Sequence, residues 1–347
     1  MEDWYEPTIS DELWKEERNL QAAFEAFSVS TEGFQSVIKN LIAALRRFWG
    51  ELKRLFSKFG KAHSTRIGVT GVKVNRMLER YSTKGLLTSA NSFFTVSSGV
   101  GQLSVNYVPI KNAMGLLNAL GNFGKDINQY FTWVNSDMIS LGDKVANKIS
   151  NVRNPTEVNQ DRFTGDIQHK GPRELLKKLG MRQVEEGTYA SAPLLGNRCF
   201  YVKGSPTPTM INEYARDNIM LADSGQAKAV APNVAFSHFS LKQGIDLLKA
   251  STVLIDTLER NYKSDVNNKR QRTLDALMGS IDRVERAWVD SEPEPLIRKN
   301  VEHLVGLARS CMTWVTNPYD GATNLTLSVV NATVNLCGRN LAQPSDS

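Results

Sequence analysis

The chain has little of what most enzyme chemistry requires. Its three cysteines (Cys199, Cys311, Cys337) sit far apart, which excludes a disulfide framework and a CxxC zinc or redox site. Its four histidines (His63, His169, His238, His303) are also scattered, with no HExxH spacing. No GxxxxGK[ST], GxGxxG or GxSxG run is present, so the usual signals of nucleotide binding and acyl transfer are missing. These absences predict a protein that is not an enzyme, with no catalytic residues, metal or cofactor. No stretch of 18 apolar residues occurs, and the long uncharged run Gly85–Ile110 is rich in Ser, Thr, Asn and Gly, a poor membrane span. The opening Met1-Glu2-Asp3-Trp4-Tyr5-Glu6 is acidic, the opposite of a secretory signal. The expectation is a soluble protein of the cytosol or of a virion.

With 347 residues, 41% hydrophobic and 22% charged, the chain can bury a substantial core. Its net charge of +6 is distributed unevenly. Residues 1–32 hold nine acids and two bases, a balance of −7. Residues 33–84 hold twelve bases against Glu51 and Glu79, a balance of +10, and the rest of the chain carries only +3. Such blocks suggest either intramolecular masking or a polyanionic partner.

The basic block contains the most regular helical pattern in the chain. Phe34, Ile38, Leu41, Leu45, Phe48, Leu52, Leu55 and Phe59 alternate spacings of four and three, a heptad seam that Ile42, Trp49 and Phe56 widen. Lys39, Arg46 and Lys53 form one stripe opposite, and Arg47, Arg54 and Lys61 form another, with Lys58 beside them. Ser36, Ala43, Gly50 and Ser57 lie between the stripes, where a phosphate backbone could approach closely. An ordinary amphipathic helix accounts for the apolar face but not for a polar face of one sign. A helix lying on an anionic membrane surface has the same combination of faces, and sequence alone does not separate the two partners.

Elsewhere the spacing predicts helices over Asp11–Phe27, Val69–Tyr81, Pro109–Leu120, Ile127–Ile149, Pro172–Leu179, Leu241–Tyr262, Asp265–Val289, Leu296–Thr316 and Asn324–Leu341. Arg198–Val202 reads as a strand, paired with Glu186–Ala190 or Met181–Glu185 in a hairpin or three-stranded patch. The expected fold class is mainly α with a small β insert. Its expected parts are an acidic segment (1–32), a basic helical region (33–150), a mixed insert (151–208) and a C-terminal helical region (209–347). The acid pairs Glu185–Glu186 and Glu292/Glu294 lie in turn-like sequence and read as solvated. An enzyme with its site in 155–208 is the least favoured alternative.

The stretch Ala23–Phe59, with Phe48-Trp49 and Leu55-Phe56-Ser57-Lys58-Phe59, resembles internal-head (inner-body) proteins of large tailed bacteriophages. So does Ala190–Val202, ahead of and into the predicted strand. The resemblance implies a virion structural protein packaged in the capsid interior and made in the host cytoplasm. It implies an acidic propeptide removed by a prohead protease that cuts after Glu in a Ser/Ala-x-Glu context. Three such triplets occur, Ser10-Asp11-Glu12, Ala23-Phe24-Glu25 and Ser30-Thr31-Glu32. All lie among the seven glutamates of residues 1–32, and none of the other twelve glutamates has one. The last triplet sits at the charge step, so Ser30, Glu32 and Gly33 are the expected cleavage site. The partners implied are packaged double-stranded DNA, the protease, other capsid or inner-body proteins and further copies of the chain. The resemblance also implies ejection with the DNA at infection. The seven basic residues of the stripes are the candidate DNA contacts, with a membrane surface as the alternative partner.

Overall fold

A computed structural model describes residues 10–29, 34–84, 93–154, 167–206, 216–225, 230–231, 233–288 and 295–342, with positions 156, 158 and 213. Helices dominate, and small antiparallel sheets interrupt them, so the chain is mainly α with a minor β component. Helix α1 covers Ser10–Val29, and α2 runs unbroken from Phe34 to Thr83. At 1.5 Å per residue those 50 residues extend about 75 Å.

The length of α2 departs from expectation, because the sequence reads as two helices, the basic seam and a separate Val69–Tyr81 helix with Gly68 and Gly71 at its flank, and the structure joins them. Each interior glycine costs a helix about 0.5–1 kcal/mol. Burial outweighs this: Ile38, Leu41, Leu45, Phe48, Leu52 and Leu55 are buried as the seam predicts, and Ile67, Val74 and Tyr81 continue the stripe. Gly71 also brings a neighbouring helix close, since a Cβ there would already touch Ile255 at 3.4 Å.

Strand β1 (Phe93–Val96) follows, then the hairpin of β2 (Ser104–Val105) and β3 (Val108–Pro109). Pro109 does not open a helix as expected. Asn106 and Tyr107 both take positive φ, making the two-residue turn that places Pro109 opposite Ser104. The helix begins later, at α3 (Ala113–Thr132), where the Asn112 side chain accepts a hydrogen bond from the Gly115 amide. A π-helical turn, Trp133–Met138, joins α3 to α4 (Ile139–Ser150) without a break.

After the short α5 (Pro172–Lys178), strands β4 (Arg182–Glu185), β5 (Thr188–Ala190), β6 (Arg198–Lys203) and β7 (Asn218–Asp223) form one antiparallel sheet in that order. The strand read at Arg198–Val202 is β6, and it pairs with β5 as one of the two expected registers requires. The partner on its other side, β7, lies beyond residue 208. Strand β8 (Val234–Ser237) lies later still and pairs with β1 from the basic region. The sheet elements therefore cross both expected boundaries of the insert, and one hydrophobic cluster draws on all four expected parts of the chain.

The C-terminal half is α6 (Leu241–Asn261), α7 (Ser264–Trp288), α8 (Pro295–Thr316) and α9 (Tyr319–Leu341). A capping box between Ser240 and Gln243 starts α6. Helix α2 packs on α6, α7 and α9, while α1 packs on α2 and reaches α8. At the centre, Arg270 of α7 is buried between the rings of Phe56 and Tyr319, at 4.9 and 3.8 Å, and donates to Asn135 of the π turn.

Candidate nucleic-acid interface

The two basic stripes of α2 meet different surroundings. Arg46 faces α7, where its Nε and Nη2 donate to Asp282 at 3.1 and 2.8 Å and Nη2 also reaches Glu285. Burial disfavours the Arg46 charge, but the hydrogen bonds and attraction of these two carboxylates outweigh it, and its pKa is raised. Lys53, on the same stripe, donates to Asp275 of α7 at 3.0 Å and lies over the Trp49 ring at 4.5 Å. Helix α7 thus supplies the acids that the polar face of α2 lacks in its own sequence. This corrects the expectation of a face of one sign: Arg46 and Lys53, two of the three residues of the first stripe, are matched by α7.

The second stripe points away from α7. Arg54 donates to Glu51 one turn earlier at 2.8 Å, and Arg47 lies 3.9 Å from Glu16 of α1. Lys39, Lys58 and Lys61 are exposed. Ser36, Gly50 and Ser57 are open to solvent, and a Cβ on Gly50 would meet nothing within 4 Å. The close approach expected between the stripes is sterically available, but Arg46 and Lys53 are engaged elsewhere.

A second basic surface, not expected from sequence, lies under α1. Glu17 accepts from Arg309 Nη2 of α8 at 3.0 Å, and Gln21 accepts from Arg309 Nη1 at 3.3 Å. The Phe27 carbonyl accepts from Arg298 Nη1 at 3.3 Å. Rings of α1 lie beneath the same guanidiniums, Phe24 at 5.9 Å from Arg309 and Phe27 at 5.6 Å from Arg298. The pairs 17–309 and 27–298 run in opposite directions, so α1 lies antiparallel along α8. Leu20 and Phe27 anchor it, both fully buried.

Beside this contact is a cleft of about 770 Å³ between α1, α8 and residues 216–218. Arg216, Lys299 and Arg309 line it together with Glu17, Glu25 and Glu302. Its floor is rigid: Asp217 is buried, accepts from Arg173 at 2.7 and 2.8 Å through both carboxylate oxygens, and its carbonyl accepts from Trp314 Nε1 at 2.8 Å. Burial raises the Asp217 pKa, with Arg173 acting against it. The signal that could have found this surface is the three-turn spacing of Arg298 and Arg309 on α8, with Gly306 between them.

The expected cleavage residues Ser30, Glu32 and Gly33 lie outside the described residues, as do Glu292 and Glu294. Glu185 and Glu186 are exposed, as solvated acids would be. The three cysteines are buried, and burial pushes the thiols of Cys311 and Cys337 up to about 12, so neither is a ready nucleophile. Among the described residues no group of His, Cys, Asp and Glu is arranged to hold a metal ion. None of the described helices is long and apolar enough to cross a membrane. Insertion of α2 at a membrane surface would require its seam, buried from Ile38 to Leu55, to leave the core.

Comparison with known protein families, curated proteins and solved structures gives no match to this chain.

Proposed function

We propose that the protein is a structural component of a tailed-bacteriophage virion, carried inside the capsid and made with an acidic segment that is cut off after Glu32. Once freed of that segment it associates with the packaged duplex DNA, without sequence preference, through phosphate neutralisation and counterion release. The observation that carries this reading is the seating of α1. An acidic helix ending at Val29, just before the Ser30-Thr31-Glu32 triplet, lies against arginines of α2 and α8.

The energetics favour release after a cut. Two fully buried side chains, Leu20 and Phe27, supply roughly 3–6 kcal/mol of apolar burial at about 1.5–3 each. As part of one chain α1 binds at an effective concentration in the millimolar range. Cut free, the same contacts correspond at best to a Kd between about 10 mM and 50 μM, and association entropy weakens this further. Covalent attachment is therefore what keeps the arginines covered.

Peptide mapping of the protein recovered from its native particle tests the reading. The expected N-terminus is Gly33, with no peptides from residues 1–32 and with DNA crosslinked to the chain. Abundant intact Met1 peptides from mature particles would overturn it.

A further inference from the structure

We infer that duplex DNA is received by the second half of α2 together with the neighbouring flank of α9, a surface that Ser10–Val29 of α1 does not cover. This rests on the association with DNA proposed above, not on the cut after Glu32, and it means that the uncut chain already holds duplex, more weakly than the cut one. The structure joins two stretches that the sequence separates, and the join lines up their bases. Arg66, Lys73 and Arg80 follow one another at seven-residue intervals, two turns or about 10.5 Å apart, and all three are exposed. Beside them α9 runs parallel to α2, since Arg66 Nη1 donates to Asn324 at 2.7 Å and Lys84 Nζ donates to the Leu341 carbonyl. The sector of α9 that carries Asn324 also carries Ser328, Asn331 and Asn335, so hydroxyl and amide groups flank the row. Helix α1 runs back along α2 with Glu16 beside Arg47, which places Ser10 near Lys53, about 20 Å short of Arg66.

Acid is nearly absent from this surface. Residues 52–125 hold eleven bases and one acid, Glu79, which lies about 100° around α2 from Arg80. Helix α9 has one acid, Asp320 at its start, and that carboxylate is taken by His63 and by the Asn324 amide at 3.0 Å. On α6, Asp256 and Glu259 line a groove with Gly68, Gly71 and Asn75, on the opposite side of α2 from the row. Asp246 is two residues, or about 200°, from Gly244, where α6 packs on Tyr81, so it projects from the far side of α6. One strand of duplex DNA carries a charge every ~3.4 Å of axis, so bases about 10.5 Å apart meet every third phosphate. Hydroxyl and amide donors such as those of α9 complete backbone contacts of this kind. A membrane surface fits less well. The exposed large apolar side chains of α2 among the described residues are Val69 and Val72, with no exposed Phe, Trp or Leu to insert.

The test uses the full-length chain and a random-sequence duplex of about 20 base pairs in about 0.1 M salt. The chain should bind before any cut. Arg66→Gln, Lys73→Gln and Arg80→Gln together should weaken binding at least about thirtyfold, and make the slope of log affinity against log salt shallower by roughly 2.7. The same charge removed from α7, by Lys269→Gln, Arg272→Gln and Arg283→Gln, should cost no more than about threefold. Arg66→Lys with Arg80→Lys keeps the charge and should hold affinity within about fivefold. Ser328→Asp with Asn335→Asp, which puts acid on the flank that lacks it, should cost about tenfold or more. Equal losses from the α2 and α7 triples, or no loss from the α9 aspartates, would overturn the assignment while DNA association itself stood. Failure of the full-length chain to bind would overturn it too, and would leave the reading in which binding begins only after the cut. A lysine-for-arginine loss as large as that of the glutamine triple, or tighter binding to phosphatidylserine vesicles than to the duplex, would also overturn it.

Discussion

Arg46 offers a direct measure of how firmly α2 is clamped to α7. Its guanidinium donates to Asp282 at 3.1 and 2.8 Å and reaches Glu285, whose side chain is only 16% exposed. Arg46 itself is 43% exposed, so the pairs are screened by solvent and are worth about 1 kcal/mol together rather than the buried-pair value. Arg46→Gln should therefore cost about 1 kcal/mol. Arg46→Glu adds like-charge repulsion of about 1–2 kcal/mol at an effective dielectric between that of protein surface and water, for a total near 2–3. Arg47 is the control: 61% exposed and 3.9 Å from Glu16, it should lose under about 0.5 kcal/mol on the same reversal. A chain of this length moves its Tm by only about 1.5 °C per kcal/mol, so urea midpoints are the better assay. The Arg46→Glu loss should shrink in 0.5 M salt and be largely recovered by adding Glu285→Arg. Equal losses for the two reversals, or no recovery in the charge-swapped pair, would refute the clamp.

Further tests address other parts of the molecule. A Cβ on Gly244 of α6 would lie 2.0 Å from the buried Tyr81 ring, whose hydroxyl donates to the Cys337 carbonyl at 2.9 Å, so Gly244→Ala should cost about 1–3 kcal/mol by overpacking. Gly50→Ala, with nothing within 4 Å of its Cβ, should instead stabilise by about 0.5–1 kcal/mol; the same urea series reads both. His303 is held neutral in the fold, its pKa lowered to about 4 by burial and then by the nearby charge of Lys299. Its folded pKa lies below the unfolded value, so the stability it permits is full above about pH 6.5 and lost as pH falls toward 4, about 2 kcal/mol by pH 5. His303→Gln should remove that part of the acid sensitivity, and identical pH profiles for the two chains would sink the assignment. Arg270 has no hydrogen-bond partner for Nε or Nη1 among the described residues, so Arg270→Met should be near neutral by chemical denaturation while Arg270→Ala costs about 2–4 kcal/mol. Equal losses for Met and Ala would mean that the buried charge itself stabilises the core.

The helices were legible where the apolar period was long and the caps local. The seam of α2, the Leu241 start of α6 and the runs of α7 and α8 could all be read from neighbours within a few turns. What could not be read depended on distant residues. Gly68 and Gly71 signal weakness locally, yet α2 continues through them because α6 packs there. Strand β1 is four residues long, and its partner β8 lies far along the chain, with Phe94 opposite Phe236, so no local pattern announces the pair. Strand β7 likewise completes the sheet from outside the expected insert.

The same distinction decides the candidate site. A helix face of one sign, read from sequence, describes one helix and not the surface it contributes to. Lys39, Arg46 and Lys53 share a stripe on α2, yet Asp275, Asp282 and Glu285 on α7 convert two of the three into structural contacts. The acidic block was the more informative feature, because a helix with seven excess negative charges in its segment must meet positive charge somewhere or remain solvated. It meets Arg309 through a pair in which both side chains are 23% exposed, closer and more sheltered than its contact with Arg47. Charge complementarity within the chain thus explains where the acidic helix settles, against Arg309 of α8 and Arg47 of α2, a pairing that neither helix's own pattern announces.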